Sequence, residues 1–324
     1  TDLAQAKSIS YEAAQRLVNN SGYQIYCTMD PDIQKIAEDV YADLSNLNVH
    51  SAKGHQLQSG ITIMDPYTGN IVGMVGAMGP KTQNLVDNYA VQKHQVGSSI
   101  KPLTVYAPAI DLGASPASIA YNIPVPISGW KDSSGKDSWP KNYGGGGYKG
   151  PQSFRSALRN SYNTAAAQIL MTYVGVSRSV EYLHLMGIPD KNINADPFGL
   201  ALGSSGLTPV QMAVAFGTIA NKGVYQQPLS FSRIVDSNGN VVVDMHQQQD
   251  RHQVFKPSTA YLVVDMLKDN GLIEYKSLFK LFSAITGGKD KIASSGTFTL
   301  NSDMDYRALI SGISANSASR AVVD

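Results

Sequence analysis

Apolar residues recur along this chain with two different periods, and the change from one to the other outlines the expected elements. Ile33, Ile36, Val40 and Leu44 recur three to four positions apart, the spacing that lines one face of a helix. Asp30 ahead of them can cap that helix, and Pro31 suits its first position, where no N–H is needed. Residues 23–28 have strand composition. Residues 60–65 and 70–77 are apolar runs joined by Pro66-Tyr67-Thr68-Gly69, which predicts a hairpin. The run 103–112, closed by Gly113, predicts a buried helix starting at Ser98. Pro102 fits only its first turn, and Pro108 is expected to kink it. Leu158, Ala165, Ile169 and Tyr173 predict one helix over 153–173, and 208–220 predicts another, with Pro209 in its first turn. A hairpin turning at Asn238-Gly239 is expected over 232–245, then a helix over 258–268. The chain turns strand-like again from Ile292, over 306–313 and 320–323.

Strands toward both ends with helices between them predict an α+β fold, an antiparallel sheet flanked by helices. The polar stretch 46–58 separates a linker region, residues 1–58, from a main domain over 59–324. Residues 121–150 are rich in Pro, Gly, Ser and Asn and enclose Trp130 and Trp139; so long a loop in a compact domain is usually functional or disordered.

Composition narrows the function classes. The 324 residues are 43% apolar and 16% charged, an ordinary globular balance with ample core. A net charge of +1 leaves no electrostatic footprint for nucleic acid or an anionic membrane surface. Cys27 stands alone, so no internal disulfide can form, and its place in a strand reads as a packed or edge thiol. The six histidines show neither HExxH nor close pairing, so neither a metal nor a cofactor is expected. No apolar run approaches the roughly 20 residues that span a bilayer. Thr1-Asp2-Leu3-Ala4 reads as the middle of a longer protein, with any anchor or export signal expected outside these residues.

A serine hydroxyl needs a nearby base to become a nucleophile. On a helix, Ser-x-x-Lys sets an amine beside it, and burial pushes that amine toward its neutral form. The tetrad occurs at Ser98/Lys101, Ser128/Lys131, Ser133/Lys136, Ser138/Lys141 and Ser277/Lys280. The middle three fall in the Gly/Pro/Ser loop, and Lys280 reads as a solvated face residue. Ser98 alone opens an apolar helix that would bury its lysine, although a plain helix cap is the competing reading of that serine. Ser161-Tyr162-Asn163 and then Ser294-Ser295-Gly296-Thr297 follow it. Single copies mean little, since Ser314-Ala315-Asn316 also fits Ser-x-Asn; order and spacing carry the inference.

With these residues the chain resembles the transpeptidase domain of class A penicillin-binding proteins, along nearly its whole length. Residues 28–34, the hairpin 63–72, Gly97-Ser98-Ser99-Ile100-Lys101-Pro102, Trp139-Pro140-Lys141-Asn142, Ala201-Leu202-Gly203 and 208–223 all look like blocks of that family. The resemblance implies that Ser98 attacks a D-alanyl-D-alanine carbonyl with Lys101 as base. It implies further that Ser161 relays a proton to the leaving amine and Asn163 holds the substrate amide. Backbone N–H groups of Ser98 and Thr297 would form the oxyanion hole, and the Ser295 and Thr297 hydroxyls would bind the terminal carboxylate, beside Ser294 and Gly296. Trp139 and Asn142 would border the substrate groove. The implied partners are peptidoglycan stem peptides and β-lactam antibiotics. The implied location is the extracytoplasmic face of the cell membrane, reached through a membrane segment outside these residues.

Two positions depart from the family pattern. Ser294 stands where the third motif begins with lysine, and Lys291, an odd number of positions earlier, falls on the opposite face of a strand. Arg307–Ile310 replaces a strand that usually contains an aromatic. The expected activity is a D,D-transpeptidase. The alternatives are a D,D-carboxypeptidase and a weakly active or non-catalytic domain that still binds cell wall. A β-lactamase is disfavoured, because neither Glu181 nor Glu274 sits in a motif suited to deacylation.

Overall fold

The computed structural model describes residues 2–47, 58–83, 86–143 and 147–268. Two short helices, α1 (Asp2–Lys7) and α2 (Tyr11–Asn20), open the chain, the second capped by the Ser10 hydroxyl. Strand β1 (Gln24–Cys27) follows, and Cys27 on it is exposed. Helix α3 (Pro31–Ala42) starts as its residues dictate. The Asp30 carboxylate accepts from the N–H groups of Asp32 and Ile33, a cap worth about 1 kcal/mol. The hairpin of β2 (Ile61–Met64) and β3 (Ile71–Val75) lies beneath α3, where Ala37, Tyr41, Ile61 and Ile63 form one small core.

After β4 (His94–Gln95) residues 103–110 of the expected run are buried, while Leu112 at its end is exposed, and the run is not a uniform helix. A 3-10 turn (Gly97–Ile100) leads into a π turn (Pro102–Tyr106) and then α4 (Ala107–Asp111). The π turn accommodates Pro108: Ala107 N–H reaches back to Pro102 O. The Thr104 carbonyl, which Pro108 has no N–H to serve, accepts from the Ser179 hydroxyl at 2.8 Å.

Strands β5 (Ile119–Asn122) and β6 (Gly150–Ser153) pair antiparallel, so the long loop between them is the connection of a hairpin. The single helix expected over 153–173 is two. Helix α5 (Phe154–Arg159) stops, the chain turns over at Ser161, and α6 (Asn163–Ile169) restarts and runs into a π turn (Leu170–Val174). Then come α7 (Val176–Leu185), α8 (Pro197–Leu202) and β7 (Gly206–Leu207), which pairs with β4.

Helix α9 (Pro209–Ala220) begins with a reciprocal cap between Thr208 and Gln211 and is buried from Met212 through Ile219, as a helix apolar on every side must be. Strands β8 (Val224–Gln226), β9 (Phe231–Val235) and β10 (Val241–Asp244), the short helix α10 (Met245–Gln248), β11 (Arg251–Gln253) and α11 (Pro257–Lys268) complete the described chain. Strand β11 pairs with β8, and β9 with β10 forms the hairpin expected at Asn238-Gly239.

The main core gathers the buried faces of α4, α6, α9 and α11, with Leu103, Tyr106, Phe154, Ala166, Phe216 and Phe255 at its centre. Described residues thus combine helices with one three-stranded sheet, ordered β1-β9-β10, and antiparallel ribbons, an α+β arrangement. The strands expected after Ile292 lie outside the described residues. Hydrogen bonds cross the boundary drawn at residue 58. Strand β1 pairs with β9, and the Thr28 hydroxyl donates to the carbonyls of Ile71 and Leu229, both at 2.8 Å.

Candidate active site

Lys101 sits in the first turn of the buried helix and is completely buried. Its N–H bonds back to Ser98 O, so the 3-10 turn rotates Ser98 to the exposed side while Lys101 points inward. A close backbone approach sets the start of that turn. Gly97 N–H donates to Gly203 O at 3.0 Å, and Gly203 closes α8 with φ +79°. A Cβ on Gly203 would stand 2.0 Å from Gly97 O, so only glycine fits there. Ser99 is tied down by its own hydroxyl, which donates to Val96 O at 2.6 Å.

The Lys101 amine meets the break between α5 and α6. Its Nζ donates to Ser161 O at 2.8 Å, to Ser161 Oγ at 3.0 Å and to Asn163 Oδ1 at 2.6 Å. Ser161 can offer both oxygens because its φ of +51° is left-handed, an uncommon conformation for a residue with a side chain. Burial removes water from the ammonium and pushes the Lys101 pKa from 10.5 down to about 7. The lysine is therefore poised to exchange a proton at neutral pH, beside a serine hydroxyl and an amide. Among the described hydrogen bonds none joins the Ser98 hydroxyl to the Lys101 amine; such contacts are often long before substrate arrives.

The rival tetrads separate on burial, since Lys131, Lys136 and Lys141 are all exposed. Ser277/Lys280 lies outside the described residues, and so does the third motif, Ser294, Ser295, Gly296 and Thr297. Three of the expected catalytic residues, Ser98, Lys101 and Ser161, thus share one place in the fold with Asn163. The two loop residues are placed differently from one another. Trp139 is half-buried against the main core, and its indole N–H donates to the Tyr148 hydroxyl at 2.7 Å. Asn142 turns its amide inward, where Oδ1 accepts from the backbone N–H of Asn163 at 2.8 Å.

Two residues that support this site were not among those expected to form it. Asn122 is fully buried and accepts from the Thr164 hydroxyl at 2.6 Å. The alternation along β5 offered a faint signal, because Asn122 shares the buried face with Ala120. Gly203 had only its place in Ala201-Leu202-Gly203 to mark it.

A serine and a buried, deprotonable lysine on one helix, facing a Ser-x-Asn turn, define a site of the serine acyl-transfer kind. Residues 59–272 match the penicillin-binding protein transpeptidase domain, and the chain belongs to that family. The match ends before Ser294. Penicillin-binding protein 1A of Clostridium perfringens (strain 13 / Type A) is 32% identical over 285 residues, which cover 83% of this chain and 41% of that protein. Penicillin-binding protein 2D of Bacillus subtilis is 29% identical over 250 residues, 77% of this chain and 34% of that protein. The matched stretch thus spans less than half the length of each of these relatives. In fold it is similar to the penicillin-binding protein PonA1 of Mycobacterium tuberculosis, with TM-score 0.66 at 20% identity over 83% of this chain and 68% of that one. PonA1 in complex with penicillin V gives a TM-score of 0.65 at 21% identity, covering 82% and 67%.

Proposed function

We propose that this chain is a peptidoglycan D,D-transpeptidase domain that works through an acyl-enzyme on Ser98 and is acylated by β-lactams. The observation that carries the reading is the buried Lys101 amine, held between Ser161 and Asn163 one turn from the exposed Ser98. In its neutral form Lys101 takes the Ser98 proton as Oγ attacks the penultimate D-alanine carbonyl carbon. The amide C–N bond then breaks, and the proton passes by way of Ser161 to the departing D-alanine amine. An amine of a second stem peptide attacks the ester, forms the cross-link and regenerates the Ser98 hydroxyl.

The third motif completes the reading by resemblance. The Ser98 and Thr297 N–H groups stabilise the oxyanion, a role worth about 3–4 kcal/mol per donor in a comparable hydrolase. The Ser295 and Thr297 hydroxyls take the substrate carboxylate, with Ser294 and Gly296 beside them. Ser294 brings no cation to that carboxylate, which supports a second reading, a slowly acylating domain. The extracytoplasmic face of the membrane is the compartment that holds such a substrate; no described helix is long and apolar enough to cross a membrane.

A fluorescent penicillin tests the proposal. A stable adduct is expected on the wild type and none on Ser98→Ala. Absence of any adduct on the wild type after prolonged incubation overturns it, and rapid release of the adduct identifies a hydrolase instead. Ser294→Lys is expected to accelerate acylation, and an unchanged rate would remove the significance given to Ser294.

A further inference from the structure

Helix α6 begins at Asn163 with Tyr162 in the capping position, and Tyr162 makes no side-chain cap. The first turn is capped instead from 21 residues away. Asn142 Oδ1 accepts from Asn163 N–H at 2.8 Å and, more weakly, from Thr164 N–H at 3.5 Å. Its Nδ2 donates to Asn122 Oδ1 at 2.7 Å and to Gly147 O at 3.1 Å. Asn122 Oδ1 also takes the Thr164 hydroxyl at 2.6 Å. A second strap runs beside this one, from Asn163 Nδ2 to Lys141 O at 2.8 Å. The orientation of each amide follows from its partners: two N–H donors face Asn142 Oδ1, and two acceptors face its Nδ2.

Every polar atom of the Asn142 side chain is therefore spent inside the protein, and the residue it holds carries the 2.6 Å acceptor of the Lys101 amine. We infer that Asn142, backed by Asn122, is a positioning residue that fixes Asn163 on Lys101, in place of a groove residue that binds substrate. The inference rests on Lys101 as the base of the proposed reaction, but its structural content does not need that reaction to occur. Asn163 Oδ1 favours the charged amine, while burial opposes it. Loosening Asn163 therefore lowers the proton affinity of Lys101, and a negative charge placed at position 142 raises it. The charged side chains nearest in sequence to this network, Lys141 and Arg159, are exposed, and neither joins the hydrogen bonds around Lys101.

The test uses Asn142→Ala and Asn142→Asp with two readouts. The first is the titration of the Lys101 side chain in 13C-lysine-labelled protein, assigned by its loss in Lys101→Met. The second is acylation by a fluorescent penicillin across pH, resolved into a saturable binding constant and a rate constant. Asn142→Ala is expected to move the Lys101 midpoint down and cut the acylation rate constant about tenfold with little change in binding. Asn142→Asp keeps the acceptor for Asn163 N–H, and is expected to move the midpoint up. Opposite displacements are the signature of positioning, which mere loosening of the fold would not produce. Unmoved midpoints in both folded variants overturn the inference. A changed binding constant with an unchanged rate constant overturns it too, and returns Asn142 to the groove. If the wild type is not acylated, the proposed reaction fails, while the titration still decides the role of Asn142.

Discussion

Lys101→Met removes the titrating group that the site is built around and keeps a stem of similar length. In the folded chain burial lowers the Lys101 pKa from 10.5 to about 7. At about 1.4 kcal/mol per tenfold change in proton affinity, that fall is worth about 5 kcal/mol. The sign follows from proton counting. Between pH 7 and 10.5 the unfolded chain holds one proton more at this lysine than the folded chain, so stability from this group rises with pH across that window. Below pH 7 both states are protonated and the cost of burying the ammonium is fully present; above 10.5 neither is, and the cost has gone. The variant loses the donors to Ser161 and Asn163, but that loss does not vary with pH. Urea unfolding of both proteins, followed by the fluorescence of Trp130 and Trp139, therefore isolates the titration as the change with pH in their stability difference. The wild type is expected to gain on the variant by about 1.4 kcal/mol per pH unit above 7, reaching about 3 kcal/mol by pH 9. A difference that stays flat from pH 6 to pH 9 would refute the claim that burial holds this amine near neutrality, and Lys101 would lose its standing as the base.

Three further substitutions test how the site is held. Gly203→Ala places a methyl group against Gly97 O in a left-handed position that alone costs about 1–2 kcal/mol; penicillin acylation is expected to fall at least tenfold, and wild-type acylation would mean that Gly203 does not set the Ser98 turn. Ser179→Ala leaves the buried Thr104 carbonyl without its donor and is expected to destabilise by about 1–3 kcal/mol in urea; a neutral result would mean that the π turn needs no such support. Thr208→Ala breaks the reciprocal cap of α9 and is expected to cost about 1 kcal/mol, with Thr208→Ser close to wild type.

Most elements of the fold were legible because their signals are local. Asp30-Pro31 and Thr208-Pro209 mark helix starts within a few residues; the Asp30 cap forms as read, and Thr208 adds a cap that was not read from the sequence. Asn238-Gly239 likewise marks its own turn. Choosing Ser98 among five tetrads was local in part, since only Lys101 sits in a run apolar enough to bury it, and the ordered partners downstream supplied the rest. The width of the π turn was not legible, because it depends on Ser179, a residue 75 positions away that serves the carbonyl stranded by Pro108.

The break at the second motif was hidden for a different reason. Leu158 and Ala165 stand seven residues apart, close to two helical turns, so the apolar phase of α5 carries into α6 as though nothing intervened. Periodicity reports which residues of a segment are buried, and buried residues run through both helices. It carries no information about Ser161, whose left-handed backbone turns two oxygens toward Lys101. Nor could a local cap reveal the restart of α6, since the cap arrives from Asn142 in the long loop. The same distance explains the composition of that loop. Its glycines, prolines and asparagines look like a segment with no core to join, yet two of its residues, Lys141 and Asn142, hold Asn163 from opposite ends of its amide and backbone. A polar loop beside the Ser161 turn is thus better read through the helix start it caps than through its own lack of apolar residues.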